Sequence, residues 1–252
     1  MLNTIKKVAN KLIGTPASRR RKRSQTSDTP IEVLEDRSLL AGNVLASVNA
    51  GGDLVLKGDN LGNGVTVQRM YSNIVVQGED LDGGPTQING QTSAVFPVGM
   101  GYLRHLKINM KGGADLVSVS TSFTGNVTAK MGSGQDYFAM ADVDDPNFVT
   151  GNVKINLGSG SSLQSIAVVG NLSVGGNMAI KGGSGEQVAT IAGVQVARKL
   201  SVSLGKGDDT LLLVGVSAGS HKLNGGGGFD VFRADSLAPW TDQTGFEEVT
   251  GL

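Results

Sequence analysis

The sequence predicts an all-β chain wound as a right-handed parallel β-helix, a β-solenoid of 21–26-residue coils, and three observations predict it. Six segments share the register apolar-x-apolar-x-apolar-Gly-x-Gly-x-Asp: LKINMKGGAD from Leu106, VTAKMGSGQD from Val127, VKINLGSGSS from Val153, MAIKGGSGEQ from Met178, LSVSLGKGDD from Leu200 and HKLNGGGGFD from His221. Their starts lie 21, 26, 25, 22 and 21 residues apart, a period at which stacked coils bury a continuous apolar strip. Glycine supplies 38 of 252 residues and aromatic residues only 4%, so the chain turns often and packs aliphatic side chains.

Each column of the repeat has a physical meaning. Ile108, Ala129, Ile155, Ile180, Val202 and Leu223 are all aliphatic and alternate with polar neighbours, as a half-buried strand requires. The second glycine recurs as Gly113, Gly134, Gly160, Gly185, Gly207 and Gly228, which points to positive φ or to close approach of the next coil. A second apolar stretch follows each turn (LVSV, YFAM, LQSI, VATI, TLLL, VFRA), so one repeat reads as strand, Gly-rich corner, strand and variable return. The earlier stretches DLVLKGDN, GVTVQRM and NIVVQGED read as less regular coils of the same kind. A β-sandwich is the alternative, because short strands every 8–12 residues also suit it; its strands have no reason to keep glycine in one column. Residues 44–235 are assigned to the solenoid and 236–252, with the single tryptophan Trp240, to a C-terminal cap over the strand edges.

Charge is divided along the chain. Residues 1–23 carry eight lysines and arginines and no acid, leaving fourteen basic against 22 acidic residues in the remainder. That acidic remainder repels nucleic acid. Leu2, Ile5, Val8, Leu12 and Ile13 recur at helical spacing among lysines, the pattern of a short amphipathic helix at a membrane surface. No run approaches 18 apolar residues, so no transmembrane span is expected. With no cysteine and only two histidines, disulfides, thiolate chemistry and multi-histidine metal sites are excluded.

Two resemblances add to this reading. LEDRSLLAG, behind the polybasic run, resembles the LExRxLL-Ala export and cell-surface signal of planctomycete-type extracellular proteins, carried here by Leu34, Glu35, Asp36, Arg37, Leu39, Leu40 and Ala41. It implies that residues 1–43 are a basic, largely disordered export leader, removed near Ala41 or, if LLAGNVLASVNA serves as the apolar segment, after Ala50. The Gly-x-Gly-x-Asp corners resemble the hemolysin-type calcium-binding repeat (the RTX type), most closely in GGGGFDVF and GKGDDTLLL. That resemblance implies calcium held by Asp209 and Asp230 with Asp208 beside them, and by Asp115 and Asp136 as a second pair. The nonapeptides here are not consecutive, and Ser162 and Gln187 interrupt the aspartate column. The other role open to these aspartates is capping their own corner as Asx-turns.

An enzymatic reading starts from ADVDDPN, whose Asp142, Asp144 and Asp145 could supply the two carboxyls of glycoside chemistry. No obvious lysine or arginine ladder on neighbouring coils accompanies them as a uronate subsite. The Gly-x-Gly patterns lead into strands and not helices, which excludes a dinucleotide fingerprint. The sequence therefore points to an exported, non-catalytic surface or matrix solenoid, structural or adhesive, with cell-wall or extracellular polysaccharide or surface proteins as partners. An extracellular polysaccharide-active β-helix enzyme, lyase or hydrolase, is the alternative.

Overall fold

The computed structural model describes residues 42–81, 84–142, 146–160, 165–236 and 240–252. The leader, with its export motif, lies outside them. Among the described residues every regular element is a strand, and the chain is a β-solenoid of stacked coils. None of them forms a helix long and apolar enough to cross a membrane.

The central column forms the ladder that the sequence predicts. Ile108, Ala129, Ile155, Ile180, Val202 and Leu223 pair in parallel, one coil to the next. Leu56 of Asp53–Lys57 extends it at one end and Gln243 at the other. The second sheet stacks Val65, Val117, Phe138, Ala167, Ala189, Leu211, Phe232 and Val249. All but Val249 are fully buried, and with a second inward column on each sheet (Val127 and Val153 on the first, Val119 and Met140 on the second) and Phe123, Val149 and Val174 of the return they make the core. A buried aliphatic side chain contributes about 1.5–3 kcal/mol, and the stack repeats that contribution at each turn.

Three points refine or correct the expectations. The return varies in length but carries its own order: Val149, Val174, Val196 and Ala218 pair in register as a third parallel sheet, and Phe123 joins it by a bridge to Val149. The second strand of the Val153 coil is Ser165–Val174 and not LQSI, because Tyr137 pairs with Ile166; Gly160 and Ser165 stand three residues further apart in sequence than Gly134 and Asp136. Third, DLVLK and GVTVQRM join the parallel stack, but NIVVQGED folds back antiparallel on GVTVQRM and pairs on its other side with Ser93–Pro97. The two-residue turn at Tyr71, which takes φ 57°, makes a hairpin there in place of a coil.

The corner glycines behave as their column implies. Gly113, Gly134, Gly185, Gly207 and Gly228 all have positive φ; Gly160 borders residues outside the described set. A Cβ on Gly207 would overlap the carbonyl oxygen of Gly185, and one on Gly228 that of Gly207. At the C-terminal end Trp240 is 3% exposed. It meets His221 edge-on at 5.1 Å between ring centroids, while Phe246 lies against Phe232 at 5.5 Å. Residues 243–251 thus add pairing to the last coil and close its apolar interior, so Trp240 packs inside the fold.

Candidate functional site

The aspartates singled out by the sequence come together at the glycine corner, where the chain passes from the first sheet to the second. Asp115, Asp136, Asp209 and Asp230 are each no more than 2% exposed. Each reaches across to the preceding coil and not to its own turn, which corrects the Asx-turn expectation. Asp115 Oδ1 accepts from the backbone N–H of Asn63 at 2.9 Å, Asp136 Oδ1 from that of Asp115 at 3.1 Å, Asp209 Oδ1 from that of Gln187 at 2.7 Å, and Asp230 Oδ1 from that of Asp209 at 2.8 Å. Ser165 Oγ caps Asp136 N–H at 3.3 Å, and Glu247 Oε2 caps Asp230 N–H at 2.7 Å. Ser165 therefore holds the column in the Val153 coil, and Ser162 lies outside the described residues.

This ladder exists because the corner interrupts backbone pairing. A buried N–H without a partner costs about 1–3 kcal/mol, and a carboxylate one coil away supplies the acceptor. Gln187 stands in the same column but does not continue the ladder: its side chain packs over Gly182, its Nε2 donates to the Gly185 carbonyl of its own turn at 3.2 Å, its Oε1 has no partner, and Ser165 N–H goes to the Glu186 carbonyl at 3.0 Å. A Cβ on Gly182 would come within 2.7 Å of Gln187 Cγ. On the solvent side Asp208 runs the opposite way, its Oδ1 accepting from Phe229 N–H of the following coil at 2.8 Å. Asp208 and Asp230 thus brace the last two glycine corners reciprocally.

Each buried aspartate keeps one oxygen, Oδ2, with no hydrogen-bond partner. Burial pushes Asp115 up to about 7, against the lowering effect of its bonds from Asn63. It pushes Asp136 up to about 6 and Asp209 to about 7, and raises Asp230. In Asp115 and Asp209 a neighbouring aspartate of the stack adds to the rise. The corner is accordingly a column of carboxyls that take up protons near neutral pH.

Calcium takes six to eight oxygens. Asp209 and Asp230 each offer one unengaged oxygen, and among the described residues no group of three or more acids, histidines or cysteines is placed to hold a metal ion.

Of the acids in ADVDDPN, Asp142 offers its carbonyl to Asn171 Nδ2 at 3.1 Å; Asp144 and Asp145 lie outside the described residues. A second ladder escapes the sequence reading, at the corner that opens the first sheet. Asn126 Oδ1 accepts from Asn152 N–H at 2.7 Å, Asn152 Oδ1 from Asn177 N–H at 2.9 Å, and Asn177 Oδ1 from Lys199 N–H at 3.2 Å. His105 Nδ1 accepts from Asn126 N–H at 2.7 Å and begins the column. The signal was the recurrent Gly-Asn pair at residues 125–126, 151–152 and 176–177, directly before three of the strands. Replacing Asn152 by alanine removes the acceptor of Asn177 N–H and the Nδ2 donor to Asn126 Oδ1, though not the backbone bond to Asn126, and should cost about 1–2 kcal/mol, a fall of about 4 °C in Tm. Asn152→Asp, which keeps the acceptor, should lose less, and calorimetry of the two variants compares them.

No protein-family model, curated protein or solved structure matches the chain.

Proposed function

We propose that the chain is an exported, non-catalytic β-solenoid that serves as a structural or adhesive module of a surface or matrix. The observation that carries this reading is the use to which the corner acids are put. The four buried aspartates of the glycine repeat accept N–H groups from neighbouring coils and so act as bracing along the stack. Glycoside chemistry needs two carboxyls about 5–10 Å apart around an accessible bond. The shallow hollow on the third sheet, lined by Ser173, Val174, Gly175, Gln195, Val196, Ala197 and Ser217, contains no carboxylate. Stiffness follows from the fold, since the first two sheets tie each coil to the next and the third sheet and the two side-chain ladders brace the coils they reach. Export rests on LEDRSLLAG behind the basic run.

Mass spectrometry of the protein from its native host tests the proposal. The expected result is a mature N-terminus near residue 42 in the extracellular or surface fraction, since cutting after Ala50 would remove the strand Asn43–Val48, which pairs with Asp53–Lys57 and buries Val44; an intact residue 1 in the cytoplasm would overturn the proposal. Calcium is tested separately by melting in EDTA and in 10 mM calcium. With the corner acids acting only as caps, Tm is the same in both. A calcium-dependent rise that is lost in Asp230→Asn would instead place an ion at the corner.

A further inference from the structure

The outer surface of the first sheet corrects one expectation: neighbouring coils do carry a lysine ladder, which single columns of the sequence conceal because it alternates between two of them. Two columns point away from the core there. The first runs Val55, Lys107, Thr128, Lys154, Ala179, Ser201, Lys222, and its neighbour Lys57, Asn109, Lys130, Asn156, Lys181, Ser203, Asn224. Lysine therefore alternates between them: Lys57, Lys107, Lys130, Lys154 and Lys181 come from five successive coils, and after the two serines Lys222 resumes. All six are exposed.

This segregation runs against the charge of the domain. From residue 42 onward thirteen basic residues face eighteen acidic ones. Yet only Arg69 and Arg233 lie on strands of other faces; every other basic residue is on this sheet or at its two bordering corners. The sole acid on the strands of this sheet, among the described residues, is Asp53, which pairs with Arg104 at 3.0 Å and Lys107 at 2.9 Å. At the bordering corners Asp59, Glu186 and Asp208 accompany the four buried aspartates of the glycine corner, and Asp242 stands at the opening corner. Among the described residues no carboxylate pairs with Lys130, Lys154, Lys181 or Lys222.

We infer that this face binds a linear acidic polysaccharide lying along the solenoid axis. Coils advance by about 4.8 Å, so the lysines present a row of cations at roughly the advance of one sugar residue. Alternation between two columns places consecutive lysines about 8 Å apart, which limits their mutual repulsion while the row stays continuous. Between them stand Asn109, Thr128, Asn156 and Ser201, amides and hydroxyls suited to sugar hydroxyls. A nucleic acid fits less well, because no aromatic residue stands in either outward column to stack on bases. The proposal names the ligand class for the non-catalytic module described above and rests on that reading.

Binding of the full chain to polygalacturonate, neutral dextran and single-stranded oligothymidylate tests the proposal, and melting curves check that each variant is folded. Polygalacturonate should bind, more weakly as salt screens the lysines, and dextran should not. The triple variant Lys130→Gln/Lys154→Gln/Lys181→Gln should lose at least tenfold in affinity. Arg69→Gln/Arg233→Gln, which removes charge from other faces, should change it less than twofold. Unchanged binding by the triple variant, or an equal loss in both variants, overturns the proposal, and so does tighter binding of the oligonucleotide than of polygalacturonate. Release of new chain ends from polygalacturonate would overturn the non-catalytic reading instead, leaving the lysine face intact.

Discussion

The domain should melt at a higher temperature at pH 5 than at pH 8. Asp115 and Asp209 are pushed up to about 7 and Asp136 to about 6 from an ordinary 3.8, by burial first. The folded chain therefore binds more protons than the unfolded chain between about pH 4 and pH 7, and stability falls as pH rises through that window. Each tenfold gain in proton affinity on folding is worth about 1.4 kcal/mol. Discounted for water reaching the corner, the three groups together contribute about 3–5 kcal/mol, or about 10 °C in Tm. Below pH 4 the trend reverses, because bonds from Arg104 and Lys107 hold Asp53 well below the usual carboxylate range. Its contribution is lost as pH falls through its folded pKa. Asp115→Asn and Asp209→Asn should each flatten the slope above pH 5, and the amides fit because Asn63 and Gln187 already occupy the same column. A Tm that rises from pH 5 to pH 8 in the wild type would refute the protonated corner.

Gly207→Val should destabilise the domain by at least about 3 kcal/mol. Gly207 has φ +118° and its Cβ would overlap the carbonyl of Gly185, so the substitution combines a conformation forbidden to a β-branched residue with a backbone collision. The strand above cannot retreat, since Gly207 N–H also donates to the Gly227 carbonyl at 2.9 Å. Gly227 is the control. A Cβ there meets nothing within 4 Å and its φ is not positive, so Gly227→Ala should cost under about 0.5 kcal/mol. Urea denaturation of both variants separates the two explanations of the glycine column. Equal stability would leave composition, and not stacking, as the reason for it.

Much of the stack was legible because its signals are local. The alternation through Ile108, Ala129 and Ile155 follows from the two-residue period of a strand, and the glycine at each corner from a backbone angle that other residues avoid. Those two signals set the register of the first sheet through all six coils, and of the second in all but the Val153 coil. There three more residues follow the glycine, and counting from the glycines assigns Ser162 where pairing with Gln187 selects Ser165.

By itself, then, the sequence determined the parallel stack, the inward columns and the glycine corners, all of which depend on residues a few positions apart. Only the tertiary structure decided what the polar residues do. Asp230 meets the N–H of Asp209 across 21 residues, and whether an aspartate closes its own turn or braces its neighbour depends on which backbone group the stack leaves unpaired. The lysine face has the same origin: Lys130 and Lys154 occupy different columns of different repeats, and become neighbours only when one coil is laid on the next.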